Sequence, residues 1–175
     1  MKCYTGIAIL MLLTSGFSES GFAQSKLKIG HIDKQAILLL MPERADAEKA
    51  LQDYAKELEG KLTTMTTEYQ NKVTAYQDKA AKGEMSGLIK ETTEKEIIEL
   101  ENRIQTFRNT ANESLAKKES ELLKPMVDKI DQAIAEVAKA NAYSYIFDSG
   151  QGTGLLYSPE GDDIASLVKK KLGIQ

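Results

Sequence analysis

The chain has 175 residues, 23 basic and 26 acidic, giving a net charge of −3, with a mean hydropathy of −0.35. The charges are interleaved along the sequence and form no concentrated basic stripe, which argues against a nucleic-acid-binding surface. The single cysteine, Cys3, excludes an internal disulfide framework and a multi-thiolate metal cluster.

The first 23 residues read as an export signal. Lys2 supplies the positive start, and residues 7–13 (Ile-Ala-Ile-Leu-Met-Leu-Leu) form a short apolar run. Gly21-Phe22-Ala23 then places small residues where a signal peptidase requires them. The run is too short for a spanning helix, which needs about 20 residues. Cleavage is predicted after Ala23, and Cys3 leaves with the signal. The mature chain is predicted to be exported and soluble, with no stable membrane insertion.

Residues 27–33 alternate as a strand, with Leu27, Ile29 and His31 on one face and Lys28, Gly30 and Ile32 on the other. Residues 36–41 are apolar and fit a short helix or turn lying on a core. Pro42 suits the first turn of a long helix, and Glu43 favours its positive end. The apolar positions that follow are Leu51, Tyr54, Leu58, Leu62, Met65, Tyr69, Val73, Tyr76 and Ala80. Leu51, Leu62 and Val73 recur at steps of eleven, so the period is about 3.67 residues per turn and the pair is predicted to be nearly straight. Gly83-Glu84-Met85-Ser86-Gly87 is the only clear break before about residue 141. A return helix carries a matching stripe that includes Ile89, Ile97, Leu100, Ile104, Phe107, Leu115, Leu122, Met126, Ile130 and Val137. Residues 42–141 are thus an antiparallel helical hairpin, an arm on the order of 60 Å long at about 1.5 Å per residue. Pro125 removes one ladder bond, and a kink is expected there. The seam thins toward the turn, so residues 74–97 are predicted to be mobile.

Beyond the arm, Tyr143-Ser144-Tyr145-Ile146-Phe147-Asp148 alternates as a strand. Residues 149–154 read as a glycine-rich turn, and Leu155-Leu156-Tyr157 as a second short strand. Asp162 or Asp163 can cap a last helix that runs to Leu172 and ends at Gly173. The predicted fold is therefore α+β: the hairpin arm projects from a small strand-built body made of residues 24–41 and 142–175. So small a body, without disulfide or metal, is marginal alone. Oligomerisation through its strands would pair the open sheet edges, and Ile29, Ile32, Tyr145, Phe147 and Leu155 are the candidate contacts.

Catalytic chemistry finds little support. His31 is the only histidine and shares a strand face with Asp33, so a dyad is geometrically possible. No serine or cysteine nucleophile has a motif around it, and one histidine cannot build a zinc site. Gly150-Gln151-Gly152-Thr153-Gly154 superficially resembles a phosphate loop, but strand-like residues follow it where that chemistry needs a helix. No cofactor or metal site and no catalytic residue is assigned, and the chain reads as a non-enzyme. Lys169-Lys170-Lys171 reads as a helix end matched to its dipole. Met65, Tyr69, Tyr76 and Met85 sit on the outer half of the arm, where loose apolar contact with a client is possible.

The order signal, strand, long hairpin, strand pair and terminal helix resembles the Skp/OmpH family of periplasmic chaperones. Lys28-Ile29-Gly30-His31-Ile32-Asp33 looks like that family's first strand. Tyr143 to Asp148, then Gly154-Leu155-Leu156-Tyr157, then Asp162-Asp163-Ile164 with Val168, look like its closing strands and last helix. The resemblance implies a periplasmic homotrimer whose strands form a small barrel and whose three hairpins enclose a cavity. It implies ATP-independent holding of unfolded outer-membrane proteins. Well-known members are basic, whereas this chain has a pI near 5.4, so no lipopolysaccharide site is carried over. The alternative reading is a structural or adaptor coiled coil of the envelope that binds one folded partner.

Overall fold

The computed structural model describes residues 27–158 and 161–174, so the expected signal at 1–23 lies outside the described residues. The element order is β1 (Ile29–Ile32), α1 (Lys34–Leu39), α2 (Arg44–Ala81), α3 (Gly87–Ala140), β2 (Tyr145–Asp148), β3 (Asp162–Asp163) and α4 (Ala165–Leu172). Most of the described chain is helical, and its one small sheet has the order β2-β1-β3 with both pairings parallel. The chain between β1 and β2 is a crossover, and the whole hairpin is that crossover.

Local rules explain most of the boundaries. Asp33 accepts from the Ala36 amide at 2.9 Å and so caps α1. Ser86 caps α3 through the Ile89 amide. Gly83 takes a left-handed φ of 69° in the turn between the arms, a conformation glycine adopts without a Cβ clash. Helix α3 continues through Pro125 as one element, although proline leaves one ladder acceptor without its donor. At its end the Tyr143 amide reaches back to the Ala138 carbonyl at 3.0 Å, the six-to-one bond of a Schellman cap. The left-handed residue of that cap is Ala142, with φ 54°. Helix α4 ends in the same motif, with Gly173 at φ 72° and the Ile174 amide on the Lys169 carbonyl.

The core sits where the arm joins the body. Met126, Ile130, Ala133 and Val137 recur every three or four residues along α3 and form one buried stripe. Ile32 from β1, Ile37, Leu38 and Met41 from α1 and its exit, and Ile164 and Val168 at α4 close over it. Gly30 lies in the middle of the sheet, where an added Cβ would come within 3.2 Å of the Asp162 carbonyl, the Ile164 side chain and the Tyr143 ring. Ion pairs ring this joint: Lys34 with Asp131 at 2.6 Å, Glu43 with Lys129, and Lys171 with Glu136.

Along the arm the observed seam follows the expected positions from Leu51 to Tyr76, all at least half-buried, with Leu58, Leu100 and Ile104 buried outright. It then stops a turn early. Ala80 and Ile89, expected within it, are both exposed. Ala80 offers only one methyl group to a seam, and Ile89, expected opposite it, is left 54% exposed. The outermost ties between the arms are polar: Lys72 with Glu96, and the Tyr76 hydroxyl donating to Glu94. Each helix also carries pairs one turn apart, such as Lys49–Asp53, Lys61–Glu57 and Lys124–Asp128. Such pairs between neighbouring turns add a little stability to a helix that packs on one side only.

One expected element is different. Residues 155–157 are not a strand, and the third strand is Asp162–Asp163. The glycine-rich segment does turn, with Gly152 and Gly154 at left-handed φ and Thr153 bonded back to Asp148. It delivers Leu155, Leu156 and Tyr157 to a place where no ladder partner stands among the described residues. The sheet is instead completed by Asp162 and Asp163 beside Gly30 and His31, and Asp163 also accepts from the Ala165 amide at 2.8 Å as α4 begins.

Truncating Ile130 to alanine should cost about 2–5 kcal/mol in urea unfolding, whereas Ile89→Ala should cost under about 0.5 kcal/mol. Ala142→Gly should raise stability by about 1 kcal/mol, because it relieves a left-handed alanine. Amide exchange across residues 74–97 should be faster than around Leu51 and Leu122, and equal rates there would contradict the thin outer seam.

Candidate functional surfaces

Two surfaces stand out once the core is subtracted. The first is the open face of the sheet. Side chains two apart on a strand share a face, and the parallel register sets Ile29 beside Tyr145 and His31 beside Phe147. Leu27, Ile29, Tyr145 and Phe147 are exposed on the described chain, with the two aromatic rings stacked at 6.3 Å and 25°. Leu155 is half-buried beside them and, with Tyr157, Ser158 and Gly161, lines a shallow groove against Ile29, His31 and Phe147. Leu156, at 95% exposure, and Tyr157 project from the same segment. Ile32, grouped with Ile29 on sequence grounds, is 1% exposed and belongs to the chain's own core. The two are three residues apart and must point to opposite faces.

A polar cluster holds this sheet to the end of the arm. The Lys28 ammonium lies 4.0 Å from the centre of the Tyr143 ring, 3.7 Å from Asp162 and 3.2 Å from the Asn141 carbonyl. The Tyr143 hydroxyl donates to Asp162 at 2.8 Å. Partial burial, then that bond to a carboxylate, raises the phenol above its ordinary pKa of 10.0. His31 is half-buried in the sheet, while the Asp33 carboxylate is committed to the α1 cap, so the two are not arranged as a dyad. Asp148 is likewise engaged, accepting from the Gly150 and Lys34 amides at 2.9 and 3.4 Å. Lys169, Lys170 and Lys171 fill the last turn of α4, at the negative end of its dipole. Among the described residues no three His, Cys, Asp or Glu side chains come together to hold a metal ion, and no helix is long and apolar enough to cross a membrane.

The second surface is the outer arm. Met65, Tyr69 and Tyr76 are half-buried along the α2 seam, and Met85 is half-buried in the turn. Tyr69 and Ile104, with Thr66, Gln70, Glu101, Asn102, Gln105 and Arg108, line a groove of about 390 Å³ across the two helices. The larger apolar exposure lies elsewhere, at Leu88 (76%) and Ile98 (56%) on α3. Neither was singled out from the sequence. The signal was present in the Ile97-Ile98 pair, because adjacent helical residues lie about 100° apart and only one can enter a narrow seam. Ile97 takes the seam and Ile98 faces solvent.

These features are joined in one known arrangement. The family profile described as "Outer membrane protein (OmpH-like)" matches residues 28–172, from β1 to the last residue of α4. The chain belongs to the OmpH-like family. No curated protein matches it. As an OmpH-like chain it has the expected long helical arm on a small strand-containing body, and the match includes both ends of that body.

Acid should loosen the joint between arm and body. The Lys129 ammonium holds the Glu43 carboxyl below its ordinary value of 4.5, and Lys171 with Gln132 does the same for Glu136. A carboxylate lowered in the folded state stabilises fully above its unfolded pKa and loses that contribution as pH falls through the folded one. Stability should be flat from about pH 6 to 8 and decline below about pH 4.5. Both pairs are largely solvated and screened by salt, so each contributes little, and Glu43→Gln should flatten part of the acid limb in thermal melts at low salt.

Proposed function

We propose that this OmpH-like chain is an ATP-independent holdase of the periplasm that encloses unfolded outer-membrane proteins and prevents their aggregation. The observation that carries the reading is a long arm with a thin apolar seam and exposed apolar side chains toward its end, standing on a body with an open apolar face. Family membership supports a role in outer-membrane protein biogenesis, and the sequence signal at residues 1–23 supports export.

The working unit is a homotrimer. Leu27, Ile29, Tyr145 and Phe147 bury against other copies, and the segment 155–157 finds its ladder partner at a neighbour's sheet edge. Among the described residues both edges of the sheet are open for such pairing, since β2 has no partner on its outer side and β3 has only two residues. Three arms then bound a cavity. A client is retained by many weak apolar contacts, including Met65, Tyr69, Tyr76, Met85, Leu88 and Ile98. Weak contacts allow release without nucleotide, and arms that are loose at their ends adapt to clients of different size.

Purified protein without nucleotide should keep a urea-diluted β-barrel protein soluble at near-stoichiometric ratio, and aggregation of several such clients at the rate of buffer alone would sink the proposal. Capture of one folded envelope protein, in place of a spread of unfolded ones, would favour an adaptor. Phe147→Glu should shift the assembly to monomer and abolish protection together.

A further inference from the structure

The exposed apolar side chains of the outer arm stand in an acidic setting. Between Leu88 and Asn102, five glutamates (Glu91, Glu94, Glu96, Glu99 and Glu101) face two lysines, Lys90 and Lys95. Residues three, four and seven apart lie on one helix face. Ile98 therefore has Glu94 and Glu101 immediately along its row and Glu91 a turn further out, with Lys95 tied to Glu91 at 2.8 Å. Glu94 and Glu96 are engaged by Tyr76 and Lys72, whereas Glu99 and Glu101 are exposed and make no ion pair among the described residues. Toward the body the same row enters the groove floored by Tyr69 and Ile104, where Glu101 forms part of the wall and Arg108 closes the far end.

An apolar anchor framed by carboxylates is complementary to a chain that carries apolar residues next to cations, and it repels one flanked by acids. The whole chain leans the same way, with net charge −3 and pI near 5.4. We infer that the Leu88–Asn102 face of α3 selects basic, apolar-containing segments of unfolded polypeptide. The inference rests on the holdase reading and specifies which part of an unfolded client the arm engages first. Long-range attraction raises the encounter rate, and Leu88, Ile98 and the groove beside Tyr69 then hold the segment through apolar contact.

The test uses the full mature assembly and two synthetic unstructured peptides with the same apolar residues, one bearing lysines and the other glutamates. The lysine peptide should bind about tenfold tighter, a difference of about 1.4 kcal/mol. The gap should close near 1 M salt, where the screening length falls to about 3 Å. Glu99→Gln with Glu101→Gln should remove most of the gap while the melting temperature stays near wild type, because both side chains are exposed and neither makes an ion pair among the described residues. Ile98→Ser should weaken both peptides alike. Equal binding of the two peptides, or a preference that survives the double substitution, would overturn the charge selectivity and leave the holdase reading standing. If neither peptide binds while a denatured barrel protein is still kept soluble, this face is not the contact. If neither binds and no barrel protein is protected, the holdase reading fails with it.

Discussion

The structure depends on the packing of the C-terminal third of α3 against the two ends of the described chain. Met126, Ile130, Ala133 and Val137 present one apolar stripe, and β1 with α1 from one side and α4 from the other close over it. That contact does three things at once. It gives a small body a core, anchors a long cantilever, and fixes the parallel sheet in place with its outer face toward solvent. Among the described residues, Ile32, Ile37, Ile130, Ile164 and Val168 are the largest side chains that are almost wholly buried. Apolar burial of this kind is the main stabilising term available, since the arm contributes little per residue.

The consequence is a gradient of burial along the arm. Near the body the helices pack on the core, with the Lys34–Asp131, Glu43–Lys129 and Lys171–Glu136 pairs at its rim. Further out the buried positions thin to Leu58, Leu100 and Ile104, and the outermost ties between the helices are the Lys72–Glu96 pair and the Tyr76 phenol on Glu94. Exposed ion pairs add little and are screened by salt. Each outer helix relies on pairs within itself, which hold it helical without holding it to its neighbour. An enclosing arm needs this combination: locally stiff, collectively adaptable, and anchored at one end.

Much of this was legible in the sequence, because long elements carry repeated signals. The eleven-residue stripe of α2, the break at Gly83 to Gly87, the apolar α1 and the Gly173 stop all have local causes and recur in the structure. What the sequence could not carry was the partner of a short extended segment. Leu155-Leu156-Tyr157 has the composition of a strand but no neighbour within the described chain, while Asp162-Asp163, with poor strand propensity, pairs because Gly30 leaves room for close approach. Strand propensity reports a fit to a pleated surface and cannot say whether such a surface is at hand. Parity places Ile29 and Ile32 on opposite faces, so of the two only Ile29 is on the open face, although both are apolar. On the arm, residue type points to methionine and tyrosine, whereas position puts the greatest apolar exposure at Leu88 and Ile98.

The account joins a sheet-built assembly to client enclosure, so the most direct measurement addresses both. Light scattering after size exclusion should be made on the mature protein alone and after mixing with a urea-diluted outer-membrane barrel protein. The account predicts a trimer-sized particle that gains the mass of one client and keeps it soluble. A monomer or simple dimer that leaves the client to aggregate would contradict it.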